Sequence, residues 1–589
     1  MRNNNLVILW WHKGVAFFWK NRSGIVFMIL AALLTNFMLQ AMRNLYYAFD
    51  EWKLLGSTYV NGVLGEVKLL SLLEIFSGKA RILALFLSNA TFYFAPFQTY
   101  PFVITSYIVH FLNAVLVYAI VKKFSKSAFM AFMAGIFFVT GSVASQVFSW
   151  LGATYESLFN ILFLLLSIWL YSTFPKRTSR SWNFTLLVSW LFAIISYYFK
   201  ETTIILLVLL PWLYWQEHKS EKNSIMKSVR LHLPFIGIFL CIGISRLLTH
   251  YIIRGHPTFA QQTHVSFTRV LFHLIYYPLT TLAHLFIPYD LMVRLSGLLF
   301  NLQYSNVSFV FVDIGRRVLQ YYILSDYLSF IVSVAIFIYI YIVIRPVRKY
   351  QMLLLFSLIY YFLQHIPLAF YDVPKGTAYF ESRYYYVFLP AGAIIFALLV
   401  DSLKEVLAKI LRSSLFAGII VLIAASGFFY KQALVMKRNV FGASVYAQRM
   451  KHAMEQFSLI RSDLPDKPII MLSGNTEYFG LARQYIPLEV NAGYVLMVWY
   501  YKTGKMPARL ILEPYHFNTG EGYRVIGNKA YGYFNKKEDL LTLFERNSSL
   551  SLSQIVGFYY DGSTDTLSDD TTEIHEYLQK ELAAQTHNL

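Results

Sequence analysis

Asp50 and Glu51 stand side by side about eight residues beyond the first stretch able to cross a bilayer, within an aromatic run of Tyr46, Tyr47, Phe49 and Trp52. Paired carboxylates at a membrane surface can take a proton from an acceptor hydroxyl, and they can equally begin a solvated acidic loop. Several cations and further carboxylates could work with them. Lys200-Glu201 falls at the turn between two apolar stretches, where a lysine can snorkel to the headgroups or meet a lipid phosphate. Arg246 lies inside an apolar stretch, at a cost of roughly 2.5–3.5 kcal/mol if it sat at a helix centre and less near an end, so it needs an anionic partner. Arg383 precedes the run Tyr384-Tyr385-Tyr386 and can serve as an interface anchor or as a phosphate clamp. Glu156 opens another apolar stretch, and His256, in Arg254-Gly255-His256-Pro257, reads first as a loop residue. Glu156, Glu201, His256 and Tyr384 complete the groups that could touch a substrate.

The elements that must position these residues are membrane helices. The chain has 589 residues, of which 57% are hydrophobic and 14% charged. Soluble domains carry about 25% charged residues, so the composition predicts a polytopic membrane protein. A net charge of +19 raises nucleic acid as a partner, but the basic residues lie in short loops between apolar runs, where they act as topology signals and meet anionic lipids. The single cysteine, Cys241, excludes a disulfide framework. Residues 1–21 lack a signal-peptide cleavage pattern, and their Trp, Phe, Lys and His content predicts an interfacial helix.

The apolar pattern predicts spans at 24–42, 102–121, 127–145, 156–174, 183–199, 202–215, 231–250, 327–344, 352–370, 384–403 and 413–429. Every second loop between them is basic, and all of those loops then fall on one side. This predicts a cytoplasmic N-terminus and long outer loops at 43–101, 251–326 and 371–383. The pattern requires that the stretch 270–288, with Pro278 inside and Pro288 at its end, is a bent, re-entrant or interfacial helix rather than a full crossing. About eleven spans plus this element result; pairing 270–288 with 307–319 as two crossings is disfavoured by Arg316 and Arg317.

Residues 1–430 thus form a membrane module, and 431–589 a small α/β domain on the outer face. In the latter, 445–459 predicts an amphipathic helix, and 468–472, 508–512, 523–526 and 555–560 predict strands. No HExxH, paired CxxC or DxD spacing supports a divalent metal, and no Walker or dinucleotide loop is present, which argues against an ATP-driven pump. No cofactor is expected.

Four segments together resemble the GT-C superfamily of multi-spanning glycosyltransferases, especially protein O-mannosyltransferases and bacterial relatives such as the aminoarabinose lipid A transferase. They are FDEW at 49–52, HFLNAVLVYAIVKKF at 110–124, YYFKETTIILLVLLPWL at 197–213 and ESRYYYVFLPAGAIIFALL at 381–399. The resemblance covers roughly residues 30–403 and implies Asp50 as base, Glu51 assisting or orienting it, and Lys200 and Arg383 as donor-phosphate contacts. It implies an inverting transfer from a polyprenyl-phosphate-linked sugar to a protein, lipid or glycan acceptor, at the outer face of an inner membrane. The chain departs from the family's pattern twice. Ser145-Gln146-Val147 replaces an acidic loop, and Ala95-Pro96 stands where relatives carry Arg-Pro, a loss for which Arg246 could substitute. The competing readings are a lipid-glycan flippase or other transporter, which would place ionisable groups near the bilayer midplane, and a membrane scaffold without catalysis.

Overall fold

The computed structural model describes residues 22–47, 50–77, 81–173, 184–221, 223–254, 266–299, 316–370, 382–475, 492–512 and 521–586. The expected interfacial helix at 1–21, His256 and most of the loop at 371–383 lie outside the described residues.

Helices dominate. The chain opens with α1 (Arg22–Asn44), α2 (Asp50–Asn61), α3 (Leu72–Ser77) and α4 (Ile82–Phe94). A helical bundle follows, made of α5 (Tyr100–Ser125), α6 (Ala128–Thr140), α7 (Leu151–Thr173), α8 (Phe184–Phe199), α9 (Leu206–His218) and α10 (Ser224–Arg254). It continues through α11 (Phe267–Phe286), α12 (Tyr289–Leu299), α13 (Arg316–Tyr339), α14 (Arg348–Leu368), α15 (Leu389–Leu411) and α16 (Ser414–Ile460). Among the described residues, seven helices are long and apolar enough to cross a membrane: those within α1, α5, α7, α10, α13, α14 and α16. Large apolar side chains cover their outer surfaces, as with Leu240 and Leu247 on α10 and Ile331 on α13, each more than half exposed. That surface is suited to lipid and not to water.

The interior packs bulky rings against small residues. A Cβ on Gly135 of α6 would come within 2.4 Å of the Phe27 ring of α1, so glycine there is what lets the two helices approach. The stretch expected to be bent or re-entrant is one helix, α11, whose N-terminus is capped by the Ser266 hydroxyl accepting from the Arg269 amide. Pro278 sits inside it without ending it.

The last span and the expected amphipathic helix at 445–459 are parts of one 47-residue helix, α16, which runs unbroken past residue 430. At 1.5 Å per residue it is about 70 Å long, more than twice a hydrocarbon core, so its far half projects beyond any bilayer it crosses. That half docks on a C-terminal domain built from β1 (Ile469–Gly474), α17 (Ala492–Trp499), α18 (Ala508–Leu512), β2 (Glu521–Ile526), β3 (Lys529–Phe534), α19 (Lys537–Arg546), β4 (Ile555–Asp561), β5 (Thr566–Asp569) and α20 (Thr571–Thr586). The sheet order is β2-β3-β1-β4-β5, with β1 parallel to both neighbours and the two edge pairs antiparallel. Ile469, Ile470, Met471 and Leu472 are fully buried, the continuous apolar run expected of a central parallel strand covered on both faces. Residues 508–512, expected as a strand, form the helix α18. A five-residue stretch carries too little periodicity to separate the two, and Pro507 just before it favours a helix start.

The domain is joined to the first loop as well as to α16. Gly56 on α2 lies under α17 and α18. A Cβ there would meet Ile511, Tyr494 and Val498 at 2.8–2.9 Å. Gly56→Ala should therefore loosen this junction by about 1–3 kcal/mol, seen as a lower melting temperature and faster proteolysis within the C-terminal domain. Gly237→Ala, with open space around it on α10, should be neutral or slightly stabilising. Equal melting temperatures for the two variants would contradict this packing.

Candidate active site

The charged groups named from sequence converge at one end of the bundle, around the first turns of α7. Glu51 is buried, and its Oε1 accepts the backbone N–H of Gly152 at 2.8 Å, at the N-terminus of α7. A carboxylate satisfies an otherwise orphan amide there and complements the helix dipole. Glu51 thereby ties the start of α2 to the start of α7. Asp50 is the first residue of α2, so its backbone stands at this same junction; its side chain lies outside the described residues.

One turn further along α7, Glu156 binds two cations. Its Oε1 is 2.7 Å from the ammonium of Lys200, and its Oε2 is 2.5 Å from the guanidinium of Arg81. Arg81 also forks onto Glu201, with Nε to Oε2 at 3.2 Å and Nη2 to Oε1 at 3.1 Å. A planar guanidinium bridging two carboxylates is the geometry arginine provides and lysine does not. Lys200 is extended between α8 and the 3-10 turn Glu201–Ile205. Asn160 of α7 fixes that break. Its amide nitrogen donates to the Ser196 and Lys200 carbonyls and to the Thr203 hydroxyl, and its Oδ1 accepts from Thr202. The lysine is thus aimed inward by a hydrogen-bonded turn, not by chance packing.

Aromatic rings close the cluster on the other side. Lys200 Nζ lies 5.1 Å from the centre of the Tyr384 ring, and the Arg383 guanidinium lies 5.2 Å from the same ring. Arg383 also stacks on Trp150 at 3.9 Å. The segment Ser145-Gln146-Val147, which has no carboxylate, holds the arginine's backbone. Gln146 Oε1 accepts from the Arg383 amide, and the Ser382 hydroxyl receives the Gln146 amide while donating to the Val143 carbonyl. Arg246 of α10 donates toward the Tyr197 hydroxyl at 3.5 Å and acts through space on Glu201.

Glu51, Glu156, Lys200, Glu201, Arg246, Arg383 and Tyr384 therefore occupy one region. The sequence reading missed Arg81, which supplies the central cation. It is the N-cap of α4 with left-handed backbone, φ 49°. The one signal for it was a basic residue in the long loop 43–101, opposite the basic loops, and no spacing pattern tied it to residues 75 and 120 positions away. Trp150 and Asn160 were also missed, since each reads as an ordinary helix-end or mid-helix residue. Among the described residues, no group of three or more His, Cys, Asp or Glu is arranged to hold a metal ion.

Comparison with protein-family models and with curated protein sequences finds no match to this chain. The site is therefore read from its own chemistry: a cationic rim of three partly exposed arginines around the ion pair of buried Lys200 with Glu156, beside the carboxylate of Glu51 at the start of α2.

Two tests follow from this wiring. Lys200→Met should cost about 3–5 kcal/mol, because it leaves a buried Glu156 short of a cation. Adding Glu156→Gln should recover part of that loss, whereas no recovery in a double-mutant melting series would contradict the pairing. Burial raises the Glu201 carboxyl but Arg81 outweighs it, bringing the group down to about 2. A carboxyl lowered on folding adds stability above its unfolded value of about 4.3 and loses it as pH falls toward the folded value. The melting-temperature gap between wild type and Glu201→Gln should thus be constant from about pH 7 to 5 and shrink between about pH 4 and 2.

Proposed function

We propose that the chain is a membrane glycosyltransferase of GT-C type, moving a sugar from a polyprenyl-phosphate donor to an acceptor hydroxyl at the extracytoplasmic face of an inner membrane. The observation that carries this reading is the cation cluster of Arg81, Lys200, Arg246 and Arg383 at the end of the bundle where α2 begins with Asp50 and Glu51. A lipid-phosphate sugar leaves its phosphate with a full negative charge, which fixed cations near the membrane surface stabilise as it develops. The acceptor hydroxyl needs a base on the far side of the anomeric carbon.

In this reading Asp50 removes the acceptor proton, the acceptor oxygen bonds to the anomeric carbon with inversion, and the bond to phosphate breaks with its electron pair on the phosphate oxygen. Arg383 is the best-placed phosphate contact, since it is partly exposed and its guanidinium lies over the Trp150 ring. Arg81 and Arg246 add field from the other side. Lys200, sealed behind Glu156 and Tyr384, acts as a positioning residue and reaches the phosphate only through a rearranged pair. Glu51 holds α2 in place through Gly152 and does not exchange the proton itself. Four shorter or more charged helices, α6, α8, α9 and α15, complete about eleven crossings with the seven of membrane length.

The test is incubation of purified protein with radiolabelled polyprenyl-phosphate sugars. Wild type should release sugar from one donor, to acceptor or to water. Asp50→Asn should reduce turnover at least a hundredfold while retaining its fold, as general-base loss does. Arg383→Ala should weaken donor binding roughly tenfold, an order expected for one charge-assisted contact. Unchanged turnover by Asp50→Asn would remove the assignment of the base, and absence of turnover or binding with every donor would remove the transferase.

A further inference from the structure

A groove largely open to solvent, lined by none of the cation-cluster residues, lies between the far half of α2 and the C-terminal domain. Its volume is about 520 Å³, within the range of about 300–1,000 Å³ typical of small-molecule sites, and such sites favour the seam between domains. Its walls combine flat rings with hydroxyl-matching groups. Tyr59 of α2, Phe97 and Trp499 supply the rings. Asp463 and Lys502, both exposed, stand among them with Thr503.

The rings are held rather than loose. Tyr59 lies parallel to Tyr501 at 6.2 Å, and Trp499 meets Phe97 edge-on at 5.2 Å while its indole N–H donates to Ser458. The charged groups keep spare capacity. Asp463 Oδ1 accepts the Leu464 amide at 2.9 Å, and among the described residues no lysine or arginine forms an ion pair with Asp463. The Lys502 ammonium sits 4.8 Å from the centre of the Tyr59 ring, with no carboxylate paired to it among the described residues.

We propose that this cavity binds a saccharide, and that the acceptor of the transfer is a glycan or a sugar-bearing headgroup. A pyranose presents C–H faces that stack on rings and hydroxyls that need both acceptors and donors, which Asp463 and Lys502 provide. A lipid tail would leave these two charges desolvated without partners, and a nucleotide would call for more than one cation. Position supports the same occupant. Trp499 and Phe97 each contact Trp52, at 6.2 and 6.1 Å between ring centres, and Trp52 lies two residues after Asp50 on the same helix. A sugar chain seated between Tyr59 and Trp499 is thus one ring layer from the turn of α2 that bears the proposed base.

The role as acceptor rests on the transferase reading, but saccharide binding does not. The experiment is saturation-transfer NMR and calorimetry on the full chain in nanodiscs, with maltose, cellobiose, chitobiose, lactose and mannobiose as probes, and donor turnover assayed in the same preparation. One or more probes should bind saturably to wild type. Asp463→Asn and Lys502→Ala, changes at exposed side chains, should each weaken binding at least tenfold, and Trp499→Phe should retain more binding than Trp499→Ala. No binding by any probe, or binding indifferent to Asp463→Asn and Lys502→Ala, overturns the proposal. Donor turnover without saccharide binding overturns it while leaving the transferase standing. Saccharide binding without turnover of any donor supports the cavity and counts against the transferase.

Discussion

A largely enclosed glutamate one turn inside an apolar helix needs cations beside it, and in this protein Glu156 imposes that condition on the surrounding chain. Its two oxygens draw in Lys200 from the turn after α8 and Arg81 from the cap of α4. Arg81 in turn engages Glu201. Two separate parts of the sequence, the cap of α4 and the α8–α9 turn, are thereby pinned to the first turns of α7. Desolvating such groups costs several kcal/mol per ion, and the attraction between them offsets this when every partner is present. The arrangement is therefore a source of definition more than of net stability. It permits one way for the first loop, α7 and the α8–α9 turn to meet, and the rings of Trp150 and Tyr384 are seated against that one arrangement.

The membrane character and most helices were legible because long apolar runs bounded by basic loops have few alternative explanations. The buried core strand, though not its parallel pairing, was legible for a similar reason, since 468–472 is apolar on both faces between charged and glycine-bearing flanks. Pairings across the fold were not legible. Lys200, Glu201 and Arg383 could be named because charges are scarce in apolar surroundings, but nothing in their spacing shows that Arg81 would stand between Glu156 and Glu201. That depends on a left-handed residue at the head of α4 and on how three loops are folded together. The continuity of α16 was hidden for a different reason. The apolar pattern predicts that the last span ends at residue 429, yet a helix leaving a membrane passes from an apolar to a charged surface without needing to stop.

The two ends of the bundle differ in how they treat charge. At the far end of α15, Asp401 receives the Tyr350 hydroxyl at 2.7 Å and pairs with Lys404 and Lys349, which also meets Glu405. Lys349 is half exposed there, and such pairs contribute little individually. About eighteen residues earlier in the chain, Arg383 and Tyr384 belong to the enclosed cluster. Charges at the first end fit the solvated basic loops that set orientation. At the second they are sunk among helices and rings, where a lower effective dielectric makes each cation act more strongly on any anion that enters. This difference in enclosure, more than the number of charges, is what distinguishes the two ends.

Helix α2 is what relates that end to the C-terminal domain. Its first turn is fastened by Glu51 to α7, its middle by Gly56 to α17 and α18, and its last turns by Tyr59 to the stacked ring of Tyr501. The helix is short, about 18 Å at 1.5 Å per residue, and rigid contacts at both ends leave little freedom between them. Whatever occupies the domain seam and whatever meets the arginines are therefore held at a fixed separation by one element. Trp52 lies on the path between them, packed against Tyr47, Phe97 and Trp499. A domain tethered through α16 alone could swing on a long lever. The second attachment through α2 restrains that motion and couples the C-terminal domain to the start of α7 through one short helix.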